Sequence, residues 1–167
     1  MRVITGKARG VPLRTLPGVD TRPTSQRVKE GLFSAIQFDI EGRRVLDLFA
    51  GSGALGIEAL SRGAAHCVFV DQSPDAVAVI RQNLKVTGLS GQVICREAAA
   101  YLEQTQEGQP FDLVFLDPPY QYSQLPHILK QVSARVPKGG IVACETDRQQ
   151  QLPERVDSLS LYRTYRY

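Results

Sequence analysis

Apolar runs of strand length alternate with stretches of helical periodicity along most of the chain, which predicts an α/β fold with a mostly parallel sheet covered on both faces. Two further observations sharpen this expectation. Arg44-Val45-Leu46-Asp47-Leu48-Phe49 runs without pause into Ala50-Gly51-Ser52-Gly53-Ala54-Leu55-Gly56 and an Ala- and Leu-rich helix: strand, glycine turn, helix. Val68-Phe69-Val70-Asp71 then supplies a second strand, ending in an acid 20 residues after Gly51. The predicted sheet is Rossmann-like.

In chain order, Arg2 to Gly6 and Val11 to Leu16 read as a hairpin whose turn carries Lys7 and Arg9. Thr24 or Ser25 caps a helix with apolar positions at Val28, Leu32, Ala35 and Ile36, stopped through Gly42. After the second strand, Ser73 is an N-cap, Pro74 and Asp75 suit a first turn, and Gly88 stops the helix. Gln92 to Cys95 is a third strand, followed by a short helix containing Tyr101 and Leu102. Phe111 to Leu116 is a buried strand leading into Asp117. Leu125 to Val136 is helical despite Pro126, Lys138-Gly139-Gly140 turns, and Ile141 to Glu145 is a fifth strand.

At 167 residues the chain is one domain's worth, with no apolar run near the ~20 residues of a membrane span and no apolar leader behind Met1. Cys67, Cys95 and Cys144 each sit in an apolar run, so buried free thiols in a reducing cytoplasm are expected. His66 and His127 lack ligand-spaced company, so no metal is expected. The net charge of +3 is uneven: residues 1–30 carry seven Lys or Arg against two acids, and the other 137 residues sum to minus 2. A basic arm on a slightly acidic body fits a polyanionic partner, although a solvated charged face is the commoner meaning of a basic stretch.

Asp117-Pro118-Pro119-Tyr120 stands where a strand ends and a loop begins, the place where an open α/β sheet keeps its chemistry. Two prolines remove two donors and stiffen a corner that presents carbonyl oxygens and a carboxylate. Such a corner binds a donor, and Tyr120 can stack on a planar ligand, so an amino group on an aromatic base fits both halves. An ordinary turn is the plain alternative. The glycine pattern admits a dinucleotide, but Asp47, four residues before Gly51, would set negative charge against a pyrophosphate. A cationic cofactor with an adenosine ribose for Asp71 suits both acids.

On these residues the chain resembles class I S-adenosylmethionine-dependent methyltransferases, Asp47 to Gly53 being similar to their cofactor loop and Asp117-Pro118-Pro119-Tyr120 to their amino-methylating motif. Gly6-Lys7-Ala8-Arg9-Gly10, Arg22-Pro23-Thr24-Ser25, Arg27-Val28 and Leu32-Phe33 narrow the resemblance to the family that methylates the exocyclic amine of one guanine in small-subunit ribosomal RNA. The resemblance implies a seven-stranded methyltransferase sheet with an N-terminal hairpin, divided as a basic arm over 1–22 and a methyltransferase domain over 23–167. It also implies a further antiparallel strand beyond Leu159 to Tyr167, where the sequence stops, so a less protected sheet edge is expected.

The expected catalytic residues are Asp117, Pro118, Pro119 and Tyr120. Expected at the cofactor are Asp47, Phe49, Gly51, Gly53, Asp71 and its neighbour Gln72, with Glu97 as either a ligand contact or a helix cap. Ala98 is implied only by its place in the family, through its backbone, and Thr24 by its approach to the methionine end. Arg2, Lys7, Arg9, Arg14 and Arg22 are expected on phosphates, individually dispensable. The expected partner is small-subunit ribosomal RNA or the assembling small subunit, met by a monomer. A DNA adenine or cytosine amino-methyltransferase is the rival enzyme, with little chain left over for groove readout, and a non-catalytic RNA-binding assembly factor is the rival of another class.

Overall fold

A computed structural model describes residues 1–17, 23–105 and 108–166. Its centre is a sheet of β1 (Arg44–Asp47), β2 (His66–Asp71), β3 (Gln92–Cys95), β4 (Leu113–Leu116) and β5 (Ile141–Cys144), in the order β3-β2-β1-β4-β5. Every pairing is parallel. The connections are α2 (Ala54–Ser61), α3 (Pro74–Thr87), α4 (Ala98–Gln104) and α5 (Leu125–Ser133), and α1 (Pro23–Ala35) precedes the sheet. The chain winds outward from β1 through β2 to β3, then returns to place β4 on the other side of β1. That reversal opens a crevice at the carboxyl ends of β1 and β4.

Alternation along each strand divides the core in two. Val45, Phe69, Phe115 and Ala143 face a cluster with Phe33 of α1 and Ile57 of α2. Leu46, Val70, Leu116 and Val142 face the opposite cluster, with Leu102 of α4 and Ile128 of α5. Both faces are therefore covered, and a central strand such as β4 is buried throughout.

Several elements are cut differently from the sequence pattern. Helix α1 begins at Pro23, so Thr24 and Ser25 fall inside its first turn instead of ahead of it. Pro126 is harmless because it sits in the first turn of α5, where its missing N–H has no intrahelical partner anyway. The helix stops at Ser133, ahead of Pro137, not at Val136. Of the implied seven strands, five form the sheet among the described residues. Leu159–Ser160 (β7) pairs only with Arg155–Val156 (β6), as a separate antiparallel hairpin. That hairpin leans on α5 through Ser133 Oγ, which donates to Asp157 Oδ2 at 3.3 Å. Among the cysteines only Cys67 is buried; Cys95 is exposed and Cys144 half-buried, because β3 and β5 are the sheet's edges. No helix among the described residues is long and apolar enough to cross a membrane.

Residues 1–13 fold back on themselves, with Val3 N donating to Val11 O at 3.0 Å and Leu13 N to Met1 O at 2.9 Å. The segment is held on α2 by one carboxylate: Glu58 accepts from Ile4 N at 2.8 Å and Thr5 N at 3.0 Å. Lys29 and Arg62 complete its shell at 3.0 and 2.8 Å. Burial opposes ionisation of Glu58, but the Ile4 amide and the two cations outweigh it and hold the carboxyl below its usual range. Gly6, at φ +90°, passes so near α2 that a Cβ there would lie 1.8 Å from the Ser61 carbonyl oxygen. Downstream, Asn83 of α3 receives Arg14 N at 2.8 Å and donates to Arg14 O and Ser52 O.

Candidate active site

The glycine turn after β1 performs the three tasks its pattern requires. Gly51 and Gly53 have φ of +54° and +77°, a backbone region costly for other residues. A Cβ at Gly51 would meet nothing within 4 Å, so this side of the turn stands open to a ligand. A Cβ at Gly56 would lie 2.3 Å from Phe69, so the third glycine lets α2 pack on β2.

Asp47 lies beneath this turn, not on its surface. It is 2 % exposed, and its Oδ2 accepts from Gly56 N at 2.9 Å. Gly53 has no side chain with which to cap α2, so a carboxylate from β1 supplies the missing acceptor in the first turn. Burial pushes the Asp47 carboxyl up to about 7, against the pull of the Gly56 amide and with the help of Asp71's charge. Asp71, at the end of β2, accepts from Gly51 N at 2.8 Å and Ser73 N at 2.9 Å, one bond to each oxygen. Each oxygen keeps a further lone pair, so the carboxylate can accept from both hydroxyls of a ribose diol.

Glu97 caps α4 by accepting from Ala100 N at 2.9 Å, and Tyr122 OH reaches its other oxygen at 3.3 Å. Burial would raise the Glu97 carboxyl, but the Ala100 and Ala99 amides hold it below its usual range. The Tyr122 ring meets Phe49 edge-on at 5.3 Å, which sets an aromatic pair at the start of the glycine turn. Tyr122 had no signal in the sequence beyond standing two residues after Tyr120. Ala98 is buried as the first residue of α4, and Gln72 is exposed, its carbonyl accepting from the Cys95 thiol at 3.7 Å.

Across the crevice, Asp117 follows the last residue of β4 and Pro118 is buried behind it, while Pro119 and Tyr120 are exposed. Asp117 itself is exposed, yet the protein crowded around its carboxyl, then the charges of Glu145 and Asp47, push that group up to about 7. Gln121, with φ +57°, turns the chain sharply after Tyr120. Between the loops after β4 and β5 lies an open hollow of about 360 Å³ lined by Tyr120, Gln121, Asp147, Arg148 and Gln149.

Besides Tyr122, two residues had an unread role in the sequence. Glu145, read there only as a strand end, is half-buried beside Asp117, and burial raises its carboxyl. Lys29, one of the basic residues in the first 30, is 2 % exposed and paired with Glu58, so it is withdrawn from any phosphate surface. Arg2, Lys7, Arg9 and Arg14 are exposed, and none pairs with an acid among the described residues. Arg22 and the Thr24 side chain lie outside the described residues.

Over 172 residues, 100% of this chain and 94% of its relative, the sequence is 41% identical to "Putative rRNA methyltransferase YlbH" of Bacillus subtilis. It is 39% identical over 126 residues to "Ribosomal RNA small subunit methyltransferase D" of Haemophilus influenzae, covering 74% of this chain and 65% of that one. The solved structure named "Putative methyltransferase yhhF from Escherichia coli" superposes with a TM-score of 0.83 at 32% identity, covering 95% of this chain and 86% of that one. A family model described as conserved hypothetical protein 95 matches residues 1–167, and the chain belongs to that family.

Proposed function

We propose that this protein transfers a methyl group from S-adenosylmethionine to the exocyclic amine of a guanine in small-subunit ribosomal RNA. The observation that carries the reading is the pairing, across one crevice, of an open glycine turn after β1 with the acceptor-only corner Asp117-Pro118 after β4. The ribosomal RNA methyltransferase relatives, one of them named for the small subunit, support the substrate class.

The residues present suit the cofactor: Gly51 leaves room where a Cβ would intrude, Asp71 keeps lone pairs for a ribose, and Phe49 with Tyr122 offers apolar surface to an adenine. Asp47, buried under the turn, fixes the loop and adds negative charge that favours a cation above it. When bound, S-adenosylmethionine supplies a sulfonium methyl carbon that takes up the amine's lone pair as the C–S bond breaks and its electrons leave with sulfur.

An aromatic amine is a weak nucleophile because its lone pair is delocalised into the ring. The Asp117 carboxylate and the Pro118 carbonyl accept its two hydrogens and favour a pyramidal nitrogen with the lone pair free. Asp117, with a carboxyl near 7, then takes the proton the nitrogen sheds. Tyr120, 56 % exposed at the rim of the hollow, stacks on a base turned out of its helix. Arg2, Lys7, Arg9 and Arg14 hold phosphates without reading sequence. On this reading the protein acts as a monomer in the cytoplasm, on small-subunit RNA or the assembling subunit, with residues 1–22 as the RNA-binding arm.

The test is incubation with methyl-labelled S-adenosylmethionine and naked small-subunit RNA, unmethylated small subunits or duplex DNA, with the modified nucleoside identified by mass spectrometry. N2-methylguanosine from a ribosomal substrate supports the proposal. Label in DNA adenine or cytosine, or cofactor binding without transfer to any substrate, overturns it.

A further inference from the structure

The acceptor corner explains how an amine is held but not why the amine should be guanine's, since adenine and cytosine carry the same group. The strand register supplies what distinguishes them. Leu116 of β4 pairs with Cys144 of β5, and Glu145 N donates to Leu116 O at 2.8 Å, so Asp117 and Glu145 are the next residues abreast. By alternation both fall on the face of Phe115 and Ala143, which share one core cluster, and Asp47 falls on that face of β1 with Val45. Three carboxylates therefore stand on adjacent strand ends, and the charges of Glu145 and Asp47 both bear on Asp117. Asp47 is taken up by Gly56, whereas among the described residues neither the Asp117 nor the Glu145 carboxylate accepts a hydrogen bond or meets a cation. The hollow lined by Tyr120 and Asp147 lies in the two loops that follow these carboxylates.

A base with a single amine donor leaves one of the two carboxylates facing nothing or facing an acceptor. In adenine the ring nitrogen beside the amine is an acceptor, N1, and in cytosine it is N3. Guanine alone presents two adjacent donors, the N2 amine and N1–H. We propose that Glu145 is the specificity-determining residue of this site, accepting the guanine N1–H while Asp117 and the Pro118 carbonyl hold the N2 amine. The inference rests on the reading of the site as a guanine amino-methyltransferase and adds to it the basis for choosing guanine. Glu145 takes no part in bond making: it neither gives nor receives the transferred methyl group or the shed proton. Its carboxylate repels a ring nitrogen lone pair, so adenine and cytosine are refused by charge and not by size.

The test compares small subunits reconstituted with guanine or with 2-aminopurine at the position that mass spectrometry identifies as methylated. 2-Aminopurine keeps the N2 amine but has an acceptor at N1. The wild-type protein should methylate it at least about tenfold more slowly than guanine. Glu145→Gln, whose amide can donate to that acceptor, should lose about tenfold on guanine and bring the two rates together or reverse them. Its affinity for S-adenosylhomocysteine and its melting midpoint should stay at wild-type values, which separates lost recognition from a damaged fold. Equal wild-type rates on the two bases overturn the inference without any variant, and so does a Gln variant that keeps the wild-type preference. If the wild-type protein methylates no guanine at all, the reading of the site fails, and the inference fails with it.

Discussion

Lys29 Nζ lies 3.0 Å from Glu58 Oε2, with both side chains shut off from solvent, and the same carboxylate receives the backbone of Ile4 and Thr5. This pair joins α1 to α2 and fastens the N-terminal segment to the sheet domain. A buried pair of this kind contributes less by its existence than it costs when broken. Glu58→Ala strands Lys29 and two amides, so it should lower stability by about 3–5 kcal/mol, read by urea denaturation. Replacing Lys29 by Met and Glu58 by Gln together should cost less than Glu58→Ala alone. Because the folded Glu58 carboxyl is held low, its contribution is complete above its unfolded value near 4.5 and disappears as the pH falls.

The fastened segment presents Arg9 and Arg14 to solvent. Replacing both by Ala should weaken RNA binding and flatten the dependence of log affinity on log salt by up to about 2, since each phosphate contact contributes a little under one. Filter binding across a salt series measures this. An unchanged slope removes the segment from the interface.

Asp47 and Asp117 are both raised from 3.8 to about 7 in the folded protein. Between these values the folded state holds protons that the unfolded state has lost, so stability should decline as the pH rises from about 4 towards 7. Transfer should move the opposite way, because Asp117 must be ionised to accept a proton. The rate should climb through about pH 7, with the apparent midpoint belonging to the coupled carboxylates rather than to one. Thermal melts and initial rates over the same pH series read the two trends, and parallel trends would contradict the assignment.

How much of this was legible beforehand depended on the range of the interaction. The glycine turn, Asp71 and the Asp117 corner are local patterns on nearly consecutive residues, and each stands at the strand end where the sequence placed it. Ser73 and Gly88 bounded α3 because caps act within one turn. Glu145 and Lys29 were missed because their importance comes from neighbours across the sheet or across two helices. Lys29 in particular looks like any solvated lysine until Glu58, 29 residues later, is placed opposite it. The reading of Asp47 as a charge facing the cofactor was shifted inward for the same reason, since only the fold brings Gly56 N over its carboxylate. The expected strand from Leu159 onward shrank to a two-residue partner of β6, which charge and hydropathy over that stretch did not signal.

The division of labour between the two sides of the crevice is the centre of this account, and Asp117→Ala tests it most directly. Transfer from labelled S-adenosylmethionine to small-subunit RNA and affinity for S-adenosylhomocysteine by calorimetry would be measured on the same preparation. The account predicts that transfer falls by at least about a hundredfold while affinity changes by less than about threefold, because the cofactor residues other than Tyr122 lie at the ends of β1 and β2 and the start of α4, and Tyr122 holds its place through Phe49 and Glu97. An equal loss of both, or transfer at the wild-type rate, would contradict it.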